Sequence, residues 1–393
     1  MEIDKFKKPI ILDTGSYSIK IGFAGEEQPR AEILNLYGFP KYRNWGIPDL
    51  DHPIVHPFPI GKDAIEYKDE VGYFNLRYPK DYRRIGDFSG MKQMWKKIFE
   101  EKLKISPQEH PFLILEHPLN PTSIKEEIAS IFFTEFKAPK IAITDPESLA
   151  LIATGRRNGV IIDCGYQISS ICPIYMGFPL IHAYEKYRVG FAKVRSLFLK
   201  YFRLREDFMF IGETSRENNH LLEHLLRNYL YFSHIPDIHK ELFKKVDADE
   251  VIQRDGKEIK LGDERFLAPE VYFHPEIMVY EGYPLPKVII QVIENCDEEL
   301  KAELYQNIML SGGGSCIKRF EERLDLELKK ITEADFEILA PPNRQNISWL
   351  GGSKILDKYE NCVTWCNKAD FEENGEQAIH KSHINIADAE NFS

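Results

Sequence analysis

The sequence lacks any run of about 18 consecutive apolar residues, the length that a helix needs to cross a bilayer. It is also poor in cysteine, with six in 393 residues and no Cys-x-x-Cys pair, so neither a disulfide framework nor a cysteine-based zinc motif is indicated. The first twelve residues carry charges of both signs around a short apolar run, which is not the pattern of a secretory signal. We therefore expect an intracellular protein with reduced cysteines and no membrane association.

A surplus of positive charge is missing as well. The net charge of −11 argues against broad contact with a phosphate backbone, so direct nucleic-acid binding is not expected. A basic stretch, YPKDYRR at 78–84, would suit only a local contact with an acidic partner. With 43% hydrophobic and 29% charged residues, the chain has a globular composition, and its length is typical of two or three domains.

Short apolar runs alternate with helical patterns through most of the chain, which predicts an α/β fold. Residues 91–103 place their apolar side chains at the spacing of one helical face, and the strand FLILE follows at 112–116. After the strand KIAIT at 140–144, Asp145 is a good helix N-cap and Pro146 a good first helical residue.

An internal repeat is the most informative feature. IILDTGSYSIK at 10–20 reappears in altered form as VIIDCGYQISS at 160–170. Each copy predicts a strand, a tight glycine turn and a return strand. Related glycine patterns, MLSGGGS at 309–315 and WLGGS at 349–353, each follow an apolar run and precede a helix-like stretch. We therefore predict two similar α/β halves.

Two chemistries place an aspartate in such a turn. In aspartic proteases, paired Asp-Thr-Gly turns let two carboxylates share a proton and activate water. The second copy here, Asp163-Cys164-Gly165, lacks the hydroxyl residue beside its aspartate, and a helix-rich α/β chain is the wrong scaffold for a β-rich protease. The protease interpretation is therefore disfavoured.

A nucleotide site explains more of the pattern. In the first hairpin, Gly15 lets the backbone come close to a ligand, and the neighbouring amides with the Ser16 hydroxyl can donate to phosphate oxygens. Lys20 can add a positive charge beside the same phosphates.

The second half would complete that site. Asp13 and Asp163, one from each hairpin, would hold waters of a hard divalent cation. Gly312 and Gly313 would let a helix start approach the base or the sugar. One such turn would indicate little, but two hairpins with a glycine-rich turn favour a nucleotide cleft.

Longer stretches of the chain resemble the actin and actin-related protein family, and the likeness runs from about residue 9 to about residue 380. They are DTGSYSIKIGFAGEEQPRA at 13–31, EHPFLILEHPLNP at 109–121, GDERFLAPEVYFHPE at 262–276, LYQNIMLSGGG at 304–314 and ILAPPNRQNISWLGGS at 338–353. Sugar kinases and heat-shock chaperone ATPases share the two Asp-x-Gly hairpins, whereas the GFAG and APP to WLGGS stretches are similar to actin relatives alone.

The resemblance implies an α/β, actin-like ATPase fold, with two ribonuclease-H-like domains around a nucleotide cleft and four subdomains. It implies a small domain of residues 1–153 and 347–393, with an exposed subdomain at about 35–75. The large domain would be residues 154–346, with an inserted subdomain at about 189–280. The implied cofactor is ATP or ADP with Mg²⁺ or Ca²⁺.

The resemblance also implies a role for each matching site residue. Phosphate contacts would fall to Thr14, Gly15, Ser16, Lys20 and Gly165. Nucleoside packing would fall to Gly190, Gly312 and Gly313, and metal-bound water to Asp13 and Asp163.

The residues expected to support hydrolysis depart from the family pattern. Counted without gaps, Pro146 stands where the family has a glutamine that orients the attacking water, and Ser170 stands where it has a neighbouring histidine. The protein contributes mainly geometry and electrostatics to phosphoryl transfer, so we expect weak or absent hydrolysis and assign no catalytic residue. Asp145 and Glu147 bracket Pro146 and are the substitutes to consider.

Other departures concern affinity and assembly. Tyr17 stands beside the expected phosphates where actins carry a small residue, and Gln345 replaces a lysine, so we expect weakened ATP binding. The proline-rich segment 38–62 bears no clear likeness to the actin loop that inserts into the next subunit. An ordinary actin-type homopolymer is therefore not expected.

The sequence thus predicts an actin-related protein that binds ATP or ADP as a structural ligand and acts as a subunit of a cytoskeletal or other multiprotein assembly. Its partners would be other actin-fold or assembly subunits. The alternative is a polymerising actin-like ATPase that forms filaments. The expected location is the cytoplasm, in association with the cytoskeleton, with the nucleus as the second candidate.

Overall fold

The chain divides into two compact units. The computed structural model describes residues 6–40, 58–71, 74–203, 216–233, 250–254, 257–278 and 282–386. The first unit comprises Met1–Arg157, Met176–Phe178 and Asn346–Ser393, and the second comprises Asn158–Tyr175 and Pro179–Gln345. The predicted subdomains at about 35–75 and about 189–280, like the proline-rich segment 38–62, fall partly outside the described residues and stay predictions.

Twenty strands lie in the described ranges. They are β1 Ile10–Thr14, β2 Ser18–Phe23, β3 Ala31–Leu34, β4 Tyr37–Pro40, β5 Phe74–Arg77, β6 Lys80–Asp81, β7 Arg84–Ile85, β8 Phe112–Leu115, β9 Lys140–Thr144, β10 Gly159–Cys164, β11 Ser169–Tyr175, β12 Phe178–Pro179, β13 Glu185–Tyr187, β14 Glu250–Arg254, β15 Lys257–Leu261, β16 Ile308–Ser311, β17 Ile338–Leu339, β18 Val363–Thr364, β19 Cys366–Asn367 and β20 His383–Ile384.

Twelve α-helices accompany these strands in the same part of the chain. They are α1 Lys62–Val71, α2 Phe88–Lys97, α3 Thr122–Ser130, α4 Pro146–Ala153, α5 Phe191–Arg203, α6 Arg216–Tyr229, α7 Glu264–Leu267, α8 Leu285–Glu294, α9 Glu298–Tyr305, α10 Phe320–Leu328, α11 Ile347–Lys358 and α12 Lys368–Asn374. None of these helices combines the length and the apolar character that a membrane span requires.

A six-stranded sheet forms the centre of the first unit, in the order β19-β9-β8-β1-β2-β3. β1 and β2 are an antiparallel hairpin, whereas β1, β8 and β9 run parallel to one another. The predicted helical face at 91–103 is confirmed, because all six of its apolar side chains are buried in the same core cluster. These are Met91, Met94, Trp95, Ile98, Phe99 and Leu103.

The second unit repeats this plan. Its sheet has the order β12-β11-β10-β16-β17, with β13 also paired to β11. β10 and β11 are an antiparallel hairpin, and β10, β16 and β17 run parallel. Each unit therefore has a hairpin at the centre of its sheet with parallel strands on one side, and the prediction of two similar α/β halves is confirmed.

The glycines of WLGGS do not precede a helix, as their sequence pattern indicates, but form part of one. They lie within α11, which packs against α4 so closely that a Cβ at Gly351 would stand 1.8 Å from the carbonyl oxygen of Leu149. The sequence pattern misplaced these glycines because glycine serves both close helix packing and tight turns, and the local sequence does not distinguish the two.

Candidate functional site

The repeated motif forms two hairpins with the same register. Asp13 pairs with Lys20 across the first hairpin, and Asp163 pairs with Ser170 across the second. In both, the aspartate and the three turn residues are half-buried, whereas the strand residues around them, apart from Lys20, are buried. Because directly paired residues share one face of a sheet, each aspartate lies on the same face as its partner.

The partners of the two aspartates differ in charge. Lys20 Nζ lies 4.0 Å from Asp13 Oδ2, and both side chains are partly exposed. Ser170 is 0% exposed. The first hairpin therefore presents a carboxylate with a cation, and the second presents a carboxylate beside a buried hydroxyl residue.

Asn35 holds the first turn in shape. The Gly15 amide donates to the Ser18 carbonyl oxygen at 3.0 Å. From β3's end, Asn35 Nδ2 donates to the Gly15 carbonyl oxygen at 2.7 Å, and the Asn35 amide donates to the Tyr17 carbonyl oxygen at 2.8 Å. Sequence reasoning missed Asn35, although a polar residue inside the apolar stretch ILNLY was a signal that could have found it.

The other two predicted phosphate contacts of this turn differ in exposure. Thr14 is buried, and its Oγ1 accepts a hydrogen bond from Trp95 Nε1 at 3.3 Å. Since successive strand residues point to opposite faces, the Thr14 side chain lies on the face opposite Asp13. Any phosphate contact of Thr14 would therefore use its backbone amide. Ser16 is half-buried within the turn.

The second turn is anchored to the start of α5. The amide of Phe191 donates to the Gly165 carbonyl oxygen at 3.0 Å, and that of Ala192 donates to the Tyr166 carbonyl oxygen at 2.7 Å. A Cβ at Gly190 would stand 2.6 Å from that same Tyr166 oxygen. Gly190 thus allows close packing behind the turn, and its predicted nucleoside contact stays a prediction.

The glycine-rich turn after β16 lies against the second hairpin. Gly312 has φ +81°, a conformation that favours glycine, and a Cβ there would stand 2.5 Å from Asp163 Oδ1. Among the described residues, no atom comes within 4 Å of the place that a Cβ at Gly313 would take. One glycine therefore permits contact with Asp163, and the next leaves open space at the surface.

Pro146 is the first residue of α4 and is buried. The preceding Asp145 is the N-cap, as predicted, and its Oδ1 accepts from the Ser148 amide at 2.6 Å. Burial, and then the negative charge of Glu147, raise the pKa of the Asp145 carboxyl to about 6.

Glu147 forms a buried ion pair. Its Oε1 lies 3.0 Å from Arg83 Nη1 and 3.3 Å from His117 Nδ1. Each carboxylate that brackets Pro146 therefore has a structural partner, Asp145 in a helix cap and Glu147 in an ion pair.

Two of the three cations in the basic stretch at 78–84 are buried, and only Arg84 is exposed. Lys80 and Arg83 are 2% and 5% exposed. Lys80 Nζ pairs with Glu116, just beyond the end of β8, at 3.3 Å. Arg83 pairs with Glu147 at the start of α4. Sequence reasoning missed this burial because the carboxylates that neutralise the two cations come from elsewhere in the chain. The contact of this stretch with an acidic partner stays a prediction.

Comparison of the sequence with known proteins identifies its family. The sequence model of the Actin family matches residues 5–254 and 253–383. The chain belongs to the actin family. A curated relative, an actin-like protein of Neurospora crassa, is 31% identical over 373 residues, which is 93% of this chain and 96% of the relative. The resemblance noted in the sequence is confirmed, and with it the actin-like fold.

Within this actin-family chain, the predicted site residues collect in two groups. Asp13 to Lys20 lie on the first hairpin. Gly190 packs against the turn that contains Gly165, and Gly312 approaches Asp163. Their roles toward phosphate, nucleoside and metal stay predictions.

Proposed function

We propose that this actin-family protein binds ATP or ADP as a structural ligand, hydrolyses it weakly or not at all, and acts as a subunit of a cytoskeletal or other multiprotein assembly. The matched pair of hairpins carries the proposal. Each presents a half-buried aspartate next to a turn whose residues are half-buried. Turn amides bind phosphate oxygens, and carboxylates hold the waters of hard cations.

The side chains present fit a nucleotide with a divalent cation. Asp13 and Asp163 are ligands of the kind that Mg²⁺ or Ca²⁺ accepts through water, and Lys20 adds the charge that phosphates favour. The open space at Gly313 leaves room beside the backbone for a nucleoside. A nucleotide with its cation would supply binding free energy to the folded state.

The proposal of weak hydrolysis rests on the residues at the expected water-positioning places. Proline offers no side-chain donor or acceptor, and Ser170 is buried. The α4 cap and the ion pair with Arg83 each engage one carboxylate oxygen, and either contact would have to break for Asp145 or Glu147 to swing to another position. Either change costs stability, so neither residue is a ready substitute.

The proposed assembly role follows from family membership and from weak turnover. A family member that keeps its nucleotide can act as a building block of constant shape, since an occupied site stabilises one conformation without turnover. We propose actin-fold or other assembly subunits as partners and a cytoplasmic, cytoskeleton-associated location.

Cys316 provides a direct test of nucleotide binding. It is exposed, whereas the other five cysteines are buried, and its Sγ lies 3.8 Å from the Gly312 carbonyl oxygen. Bound ADP or ATP with Mg²⁺ should therefore slow alkylation of Cys316 by iodoacetamide. Mass spectrometry of the labelled peptide measures the rate. Cys316→Ser is the control that cannot be labelled at this position. Protein in nucleotide-free buffer with Mg²⁺ gives the reference rate of alkylation.

Native mass spectrometry of the same sample would count bound nucleotides, their phosphates and co-purifying subunits. Equal alkylation rates at millimolar nucleotide, together with no nucleotide mass, would rule out the proposed binding. Steady phosphate release accompanied by sedimenting filaments would instead support the alternative of a polymerising ATPase.

A further inference from the structure

The turn after β16 is held from both of its ends. Within it, the Ser315 amide and Oγ donate to the Gly312 carbonyl oxygen at 3.2 Å and 2.7 Å. A second bond leads out of the turn, because the Gly312 amide donates to the Arg344 carbonyl oxygen at 3.1 Å. The first residue of the turn is thus fixed to a segment that lies beyond β17.

The side chain of Arg344 holds the other end. Its Nη2 donates to the Ser315 carbonyl oxygen at 2.8 Å, and its Nε donates to the same oxygen and to Ser315 Oγ, each at 3.2 Å. Nη1 reaches the Pro341 carbonyl oxygen at 3.4 Å. One residue therefore grips the turn by its main chain at Gly312 and by its guanidinium at Ser315.

A guanidinium is suited to this task. Its planar fork donates two hydrogen bonds in a fixed geometry, and hydrogen bonds from a charged donor are stronger than neutral ones. A lysine ammonium could reach the Ser315 carbonyl oxygen but would not reproduce the fork. The position therefore favours arginine over another cation.

The grip acts on the surface where a ligand is expected. Gly312 rests against Asp163, and Gly313, the next residue, faces open space. A shift of the turn would alter both the room beside Gly313 and the support of the Asp163 carboxylate. Cys316, at the end of the turn, would shift with it.

We infer that Arg344 is a positioning residue for nucleoside binding, which it secures by holding the 312–316 turn in its binding shape without touching the phosphates. This inference rests on the proposed nucleotide binding. It predicts that replacing Arg344 lowers the binding affinity selectively for ligands that carry a nucleoside.

The test compares Arg344→Met with Arg344→Lys, using ADP with Mg²⁺ and inorganic tripolyphosphate with Mg²⁺ as two calorimetric probes. The methionine variant should weaken ADP binding about tenfold, the effect expected from losing hydrogen bonds to a charged donor, and the lysine variant should lose less. Tripolyphosphate affinity should change by less than about twofold. Arg319→Gln removes a cation from an exposed place nearby and should bind both probes like the wild type.

A second readout needs no nucleotide. If Arg344 holds the turn, Arg344→Met should change the alkylation rate of Cys316 in nucleotide-free protein, whereas Arg319→Gln should not. Wild-type protein that binds no ADP would refute the proposed function, and the alkylation rates would still decide whether Arg344 holds the turn. Unchanged ADP affinity in Arg344→Met would overturn the inference. An equal loss of affinity for both probes, together with a lowered melting temperature, would also overturn it, since that result indicates a merely structural role.

Discussion

Asn35 is 1% exposed, and both its side-chain amide and its main-chain amide donate hydrogen bonds to carbonyl oxygens of the first hairpin turn. Buried polar groups of this kind are retained where a hydrogen bond has a structural use. Here the use is to orient the turn whose amides are expected to meet phosphate, so a residue that touches no ligand can control affinity.

Replacing Asn35 with alanine should therefore weaken both the fold and the site. The variant leaves the Gly15 carbonyl oxygen without its side-chain donor, which should lower the free energy of unfolding by about 1 to 2 kcal/mol. ADP affinity should fall as well. Urea denaturation and ADP titration would measure the two effects. Asn35→Asp is the matched control for size, and an alanine variant with wild-type ADP affinity would contradict the positioning role.

Tyr17 occupies the last place of the same turn, and it is half-buried. If its ring crowds the phosphates, Tyr17→Gly should tighten ATP binding severalfold, as measured by calorimetry. Tyr17→Ala separates the loss of the ring from the added freedom of glycine. Unchanged affinity in both variants would mean that the ring points away from the ligand.

At the scale of elements, the contact between α4 and α11 depends on a single missing side chain. Gly351→Ala would place a Cβ 1.8 Å from the Leu149 carbonyl oxygen, so the helices must separate. We expect a loss of roughly 2 to 4 kcal/mol in the free energy of unfolding, which is the range of severe overpacking. Gly86→Ala is the control, because among the described residues nothing lies within 4 Å of its added Cβ. Equal melting temperatures for the two variants would disprove the tight crossing.

The cap of α4 should make stability depend on pH. Asp145 has a folded-state pKa of about 6, above its ordinary value of 3.8, so between these values the folded state binds more protons than the unfolded state. Stability should therefore fall as pH rises through this window.

Asp145→Asn keeps a cap acceptor and removes the charge, so it should be more stable than the wild type above pH 6, by roughly 1 to 3 kcal/mol, with no such gain at pH 4. Denaturation curves at several pH values test this. Asp145→Ser, which also caps without charge, should behave alike. Parallel pH profiles for wild type and both variants would argue against the raised pKa.

For the molecule as a whole, the proposed ligand predicts a linkage between nucleotide and stability. Excess ADP with Mg²⁺ should raise the free energy of unfolding, by about 2.7 kcal/mol at one hundred times the dissociation constant. Thermal melts with and without chelator would measure the effect. Asp13→Asn and Asp163→Asn should each reduce the part that depends on the metal. A melting temperature that does not change in millimolar ADP would count against the proposed function.

Much of the fold was predictable because it is encoded locally. The strand at 140–144 and the cap at Asp145 occur where the sequence predicts them, since a short apolar run and capping chemistry involve residues close in the chain. The two hairpins and their aspartates were predictable for the same reason. Family likeness then extended these local signals to the whole fold.

The candidate site was only half predictable. The sequence by itself determined which residues stand in the two turns, because a turn of three residues is set by its own glycine and its flanking strands. Only the tertiary structure decided which distant residues hold the parts of the candidate site. Asn35 acts on Gly15 from 20 residues away, Arg344 on Ser315 from 29, and Arg83 on Glu147 from 64. Such partners depend on how distant segments pack, and burial then turns an apparent surface cation into part of the core.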